Sequence, residues 1–242
     1  MKSLTSLSFV LAAFALTMPV QAGETVAHPK AVVELFTSQG CSSCPPADAL
    51  LTEIDKRDDV IALAYHVDYW DYIGWPDTFA SPRFSALQRA YARSWNKNRV
   101  YTPQMVINGV SDVVGSRQSA VNQAISTAQL PVEMDLTQSG HSITISIPPD
   151  PGLKPSILWM VTYKDRADVD IGRGENAGRT IAYSQIVMDR RSLGMWEPDE
   201  GLHMTIPTTD MMGADAEGFA FLLQQDADGL PGPIIAASAI SL

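Results

Sequence analysis

The sequence predicts an α/β unit followed by a β-rich unit. Three observations carry that reading. An apolar run over residues 31–37 leads into Cys41-Ser42-Ser43-Cys44-Pro45 and then into a helical pattern. Strand and helix patterns alternate up to about residue 130. From Pro131 onward apolar and polar residues alternate, the period of half-buried strands.

The chain opens on Met1 and Lys2, and a charge-free apolar run extends from Leu4 to about Val20. Val20-Gln21-Ala22 follows where a signal peptidase reads, so residues 1–22 are expected to be a secretory signal peptide cut after Ala22. An uncleaved anchor is the alternative, because the run is nearly long enough to cross a bilayer. Either way the body is expected to be exported, periplasmic or extracellular, where disulfides persist. Without Lys2 the chain has 16 Lys+Arg against 27 Asp+Glu, a formal charge of −11. That balance argues against nucleic acid or an anionic membrane surface as partner.

Cys41 and Cys44 are the only cysteines of the chain. Ala47, Leu50, Leu51 and Ile54 give the segment after them a helical face. A C-x-x-C between a strand and a helix start is a dithiol/disulfide arrangement. The helix N-terminus favours thiolate, the nucleophile of thiol–disulfide exchange. An inert disulfide and half of a metal site are the alternatives. A structural zinc site usually needs four ligands, and no second Cys pair or Cys/His cluster stands in the sequence. Ser42 and Ser43 are uncharged, which favours a middling potential over a strong oxidant.

The elements follow in order. Residues 60–67 read as a buried parallel strand. Residues 68–77 form an aromatic stretch, either a half-exposed binding rim or a lid packed on the sheet end. Phe84, Leu87, Tyr91 and Trp95 line one helix face, and Asn108-Gly109 turns a hairpin between residues 105–107 and 110–114. A helix carrying Val121, Ala124, Ile125 and Ala128 closes a first domain, 23–130. The second domain, 131–242, offers about seven short strands, including residues 157–163 and 181–188, and reads as a β-sandwich or similar unit. Gly172 to Arg179 is a polar loop, read as a connection, with folding over the cysteines as the alternative. Asp226-Ala227-Asp228-Gly229 lacks the later Glu of a calcium loop and reads as a hairpin turn.

The order βα, βα, ββα with the cysteine pair at the first helix resembles the thioredoxin fold. Proteins of that fold place a cis-proline opposite the redox pair, before the third strand, and Thr102-Pro103 stands there. The resemblance implies that the Thr102 backbone pairs with a bound partner. The strings Glu34–Asp48, His66–Asp71 and Val100–Gln104 further resemble the secreted thioredoxin-like family called domain of unknown function 1223. That family implies fold and export and supplies no substrate.

In the wider fold a buried acid six residues before the first cysteine often relays protons. Glu34 is seven before it, so a one-residue bulge is needed to turn it to the pair; otherwise it is a structural acid on the other face. His66 reads as a hydrogen-bonded structural histidine. If it reached Cys41 and Cys44, the three would resemble a copper(I) site. The expectation is therefore an exported thiol–disulfide oxidoreductase acting on protein or small-molecule thiols and disulfides, without a cofactor. Cys41 attacks, Cys44 resolves, Thr102 and Pro103 hold the partner and Glu34 relays protons. A copper(I)-binding or interaction module, with Cys41, Cys44 and His66 as ligands, is the alternative.

Overall fold

The computed structural model describes residues 25–211 and 216–241, so the expected signal segment lies outside the described residues. Strands β1 (Thr25–Val26) and β2 (Ala31–Thr37) lead to helix α1 (Pro45–Asp55) and strand β3 (Val60–His66). A 3-10 turn (Asp71–Ile73) and helix α2 (Pro82–Ser94) precede the hairpin β4 (Gln104–Ile107) and β5 (Ser111–Val114) and helix α3 (Gln118–Thr127). Then come β6 (Asp135–Ser139), β7 (Ser142–Ile147), β8 (Ser156–Asp170), β9 (Thr180–Trp196), β10 (Leu202–Pro207), the short α4 (Thr208–Met211), β11 (Gly218–Ala227) and β12 (Leu230–Ser241).

The predicted fold class is overturned. Strand accounts for 46 % and helix for 19 % of the described residues. The strands join in one mixed nine-stranded sheet, ordered β1-β12-β11-β8-β9-β3-β2-β4-β5, with β10-β7-β6 as a separate three-stranded sheet. This is neither a thioredoxin α/β fold nor an α/β unit trailed by a separate β-sandwich. The sheet crosses the boundary that the sequence suggests at residue 130, because β3 pairs in parallel with β9 through Ala64 and Ile186. Such a pairing spans 122 residues and leaves no local mark in the sequence, since periodicity reports burial and not which strand lies alongside.

Local chemistry explains the parts. Strands β2 and β3 are buried along their whole length, as strands covered on both faces must be. Alternate residues of β2 divide between two cores. Ala31, Val33 and Leu35 meet Ala47, Leu51 and Ile54 of α1 and Val121 and Ile125 of α3. Val32 and Phe36 face Phe84 and Tyr91 of α2, with Ala220, Leu222 and Ala237 from the far side of the sheet. The three-stranded sheet lays Ile143, Ile145 and Ile147 over Phe219, Phe221, Leu223 and Trp196. Helix α2 starts where the Ser81 hydroxyl accepts from the Arg83 N–H, and Pro82 needs no partner for a missing N–H.

Asn108 and Gly109 both adopt positive φ in the β4–β5 turn. A Cβ on Gly109 would lie 2.6 Å from the Gly232 carbonyl, so only glycine fits there. The Asn108 side chain accepts from Val32 N–H at 2.7 Å and donates to the carbonyls of Lys30 and Gln129. The turn thereby ties β2, the exit of α3 and β12 together. Strands β8 and β9 run beyond the expected residues 157–163 and 181–188 into a long hairpin whose tip, residues 171–179, reaches back to the cysteines.

Candidate functional site

Cys41 and Cys44 form a disulfide at the C-terminal end of β2, with Cα atoms 5.4 Å apart. Helix α1 begins at Pro45 with Cys44 as its N-cap, so Cys44 and not Cys41 is the residue at the helix start. Cys41 lies in the turn before it, where its carbonyl accepts from Cys44 N–H at 3.2 Å. Both cysteines are buried, at 1 % and 0 % exposure, whereas Ser42 and Ser43 are exposed.

The Thr102–Pro103 bond is cis and lies at the pair. The Thr102 hydroxyl donates to Cys41 Sγ at 3.3 Å, and Trp70 Nε1 donates to that hydroxyl at 2.7 Å. The Ser43 hydroxyl lies 3.4 Å from the same sulfur. Gly115 packs on this turn, within 3.3 Å of Pro103, Ala47 and Leu35 for an added Cβ, which seats Pro103 against α1. Among the described residues, neither the N–H nor the C=O of Thr102 is hydrogen-bonded. Trp70 stacks on Tyr72, which is 81 % exposed, so the 68–77 stretch forms a half-open aromatic rim beside Thr102.

Behind the disulfide lies a buried acid–imidazole network that the sequence reading missed. The Thr37 hydroxyl donates to Asp48 Oδ1 at 2.7 Å. His66 Nδ1 lies 2.8 Å from Asp77 Oδ2, which also accepts from Gln39 N–H at 2.7 Å. Burial pushes the Asp48 carboxyl up to about 7, despite the opposing pull of His66 and the Thr37 hydrogen bond. Burial alone would lower the His66 pKa, but the Asp77 carboxylate and then Asp48 outweigh it and raise it. Burial alone would raise Asp77, but His66 and the Gln39 and Phe79 N–H groups hold it below the ordinary value. Asp48 Oδ2 and His66 Nε2 are buried without a hydrogen-bond partner among the described residues. Asp48 stands four residues after Cys44, on the same face of the helix start, and its N–H bonds the Cys44 carbonyl at 3.1 Å.

Glu34 does not join this network. Strand β2 pairs with β3 and β4 without a register shift, so no bulge turns Glu34 toward the pair. It faces α2, where the Tyr91 hydroxyl donates to its Oε2 at 2.5 Å and Gln224 Nε2 donates on to that hydroxyl at 2.8 Å. Burial raises its pKa, against the charge of Arg190 and the Tyr91 hydrogen bond. The expected proton relay at Glu34 is corrected to a structural acid. His66 is likewise engaged with Asp77, and Phe79 and Tyr183 enclose its ring edge-on at 5.4 and 4.9 Å. Among the described residues, no three His, Cys, Asp or Glu side chains are gathered to hold a metal ion.

The β8–β9 tip closes the site from the other side. Asn176, 1 % exposed, donates from Nδ2 to the Gln39 carbonyl at 2.9 Å and the Cys41 carbonyl at 3.0 Å. Glu175 Oε2 accepts from Ser42 N–H at 3.3 Å. Arg179 donates to Asn176 Oδ1 at 3.0 Å, so it orients the asparagine and is not in contact with a sulfur. Gly172 packs on the Trp75 ring and Gly174 beside the Cβ of the same residue, and Trp75 Nε1 donates to Gln39 Oε1 at 2.9 Å. The loop read as a plain connection is therefore a cap on the Cys41 turn.

A family model described as "Protein of unknown function (DUF1223)" matches residues 32–224. No curated protein matches. The crystal structure of protein AGR_C_4864 from Agrobacterium tumefaciens is similar to this chain at 32 % identity and a TM-score of 0.79, covering 88 % of this chain and 95 % of that one. HBP35 of Porphyromonas gingivalis is similar at 16 % identity and a TM-score of 0.59, over 89 % of this chain and 76 % of that one, a likeness of fold alone. With most of its length covered by the family model, the chain belongs to the DUF1223 family of proteins of unknown function.

Proposed function

We propose that this protein carries out thiol–disulfide exchange with exported protein or small-molecule partners, through the Cys41/Cys44 couple. The observation that carries the reading is the polar contact between Thr102 and Cys41, beside an unpaired Thr102 backbone and an open aromatic rim. In the reduced form the Cys41 thiolate attacks one sulfur of a partner disulfide. A mixed disulfide forms and the other partner sulfur leaves as thiolate. Cys44 then attacks Cys41 Sγ, which releases the second partner thiol and restores the Cys41–Cys44 disulfide. Two electrons pass to the partner, and the same steps in reverse oxidise a partner dithiol.

Asp48 is suited to accept the Cys44 proton during resolution, since its carboxyl is held near 7 behind that cysteine. The Thr102 hydroxyl is placed to stabilise the Cys41 thiolate, the nucleophile of the first step. Export rests on the apolar N-terminal run and on a disulfide suited to an oxidising compartment. Among the described residues no helix is long and apolar enough to cross a membrane.

Alkylation of the reduced protein near neutral pH tests the reading. Cys41 is expected to label much faster than Cys44, which lies behind it as the helix cap. Equal, slow labelling of both thiols contradicts the proposal.

A further inference from the structure

Five of the chain's Lys and Arg residues fall between Arg83 and Arg99 in a protein of net charge −10. Four of them, Arg89, Arg93, Lys97 and Arg99, line one cavity of about 370 Å3 that no carboxylate lines. All four are exposed. Lys97 pairs with Asp112 and lies over the Trp95 ring. Arg89 lies over the Tyr69 ring, 5.8 Å from its centre. Among the described residues, Arg89, Arg93 and Arg99 have no ion pair. Arg89 and Arg93 stand at i and i+4 on α2, a spacing at which like charges repel. One cation in the last turn answers the helix dipole, and Arg93 supplies it. Three guanidinium groups around one cavity exceed that need.

The cluster stands close in the chain to Thr102, whose hydroxyl contacts Cys41. Arg99 precedes Thr102 by three residues, so their Cα atoms lie within about 11 Å. Tyr69, beneath Arg89, adjoins Trp70, which bonds the Thr102 hydroxyl. The cations stand along more than a turn of α2 and the loop after it, a span that a segment carrying several carboxylates matches.

We propose that this surface docks an acidic polypeptide segment of the redox partner. Carboxylates would engage Arg89, Arg93 and Arg99 while the following backbone pairs with the free N–H and C=O of Thr102. Guanidinium suits this role because its planar fork takes a carboxylate through two parallel hydrogen bonds. The inference rests on exchange at Cys41 as its purpose, but the docking can be measured without it.

The test uses a dye-labelled, cysteine-free peptide in which glutamates alternate with serines, and its glutamine counterpart. The glutamate peptide is expected to bind the protein at least about tenfold more tightly at low salt, with the gap closing as salt rises. The triple variant R89Q/R93Q/R99Q is expected to lose that preference while keeping the wild-type unfolding midpoint. Equal binding of the two peptides, an undiminished preference in the triple variant, or binding to anionic lipid vesicles in place of the peptide overturns the proposal. If the glutamate peptide binds and neither thiol of the reduced protein undergoes exchange, docking stands and the redox reading falls.

Discussion

Asp48 is the buried side chain whose protonation bears most directly on the proposed exchange. An unfolded aspartate loses its proton near its ordinary value of 3.8, whereas the folded one keeps it to about 7. Below both values the two states hold the proton alike. Between them only the folded state holds it, so stability falls as pH rises through that window. Above about 7 the full penalty of roughly 4 kcal/mol, from some three pK units, is in place. Asp48→Asn keeps an acceptor for the Thr37 hydroxyl and cannot ionise. Urea unfolding should therefore find the variant more stable than wild type near pH 8, by up to about 4 kcal/mol, and close to it near pH 4. His66, whose folded pKa is also raised, adds stability below its ordinary value of 6.5 and loses it as pH rises through the folded value. The variant's profile is thus flatter than that of wild type, not flat. Parallel profiles would remove Asp48 from the account. The sequence marks Cys41 and Cys44 by their C-x-x-C spacing, and Thr102 and Pro103 only through the resemblance to the thioredoxin fold. It shows Asp48 four residues after Cys44 but carries no sign of the burial that raises its pKa. Glu34 fails for the converse reason: its place depends on a bulge, and an unbroken register puts it on the α2 face.

The element that caps the Cys41 turn is the β8–β9 hairpin. Both cysteines are buried and the tip bonds the Cys41 carbonyl, so under the proposed exchange lifting of the tip is expected to ease a partner's approach to Cys41. The tip is held by few bonds, two of them from the Asn176 amide. Asn176→Ala removes both, and a local opening governed by about 1 kcal/mol per hydrogen bond becomes several-fold easier. Reduction of the disulfide by dithiothreitol should accelerate by roughly three- to thirty-fold in this variant, read by mass spectrometry of alkylated thiols. An unchanged rate would mean that the tip does not limit access. The hairpin was partly legible. Ala167, Val169 and Ile171 alternate with charged or exposed neighbours, and Ile181 and Tyr183 repeat the period on the returning strand. These residues pack with Trp75 and Phe79 as a separate small core. The charges of Lys164, Asp165 and Arg166 ended the expected strand early, because an arm solvated on one face departs from the composition of a buried strand.

At the scale of the whole molecule, the site is assembled from both halves of the chain. The cysteines, Thr102 and the aromatic rim come from before residue 130, while Asn176, Arg179 and Tyr183 come from after it. The β3–β9 pairing brings the two sets together, and that is the part of the architecture the sequence could not display. Individual strands follow from local periodicity, whereas their neighbours follow from contacts between distant segments. The central claim is that a partner forms its bond with Cys41 and that Cys44 resolves it. Trapping measures this directly. Reduced Cys44→Ser and Cys41→Ser variants are each mixed with a disulfide-bonded peptide, and the adducts are counted by intact mass. Cys44→Ser should accumulate a stable mixed disulfide through Cys41, while Cys41→Ser should form little or none. A Cys41→Ser variant that traps the peptide as well as Cys44→Ser does, or a Cys44→Ser variant that traps nothing, would contradict the account.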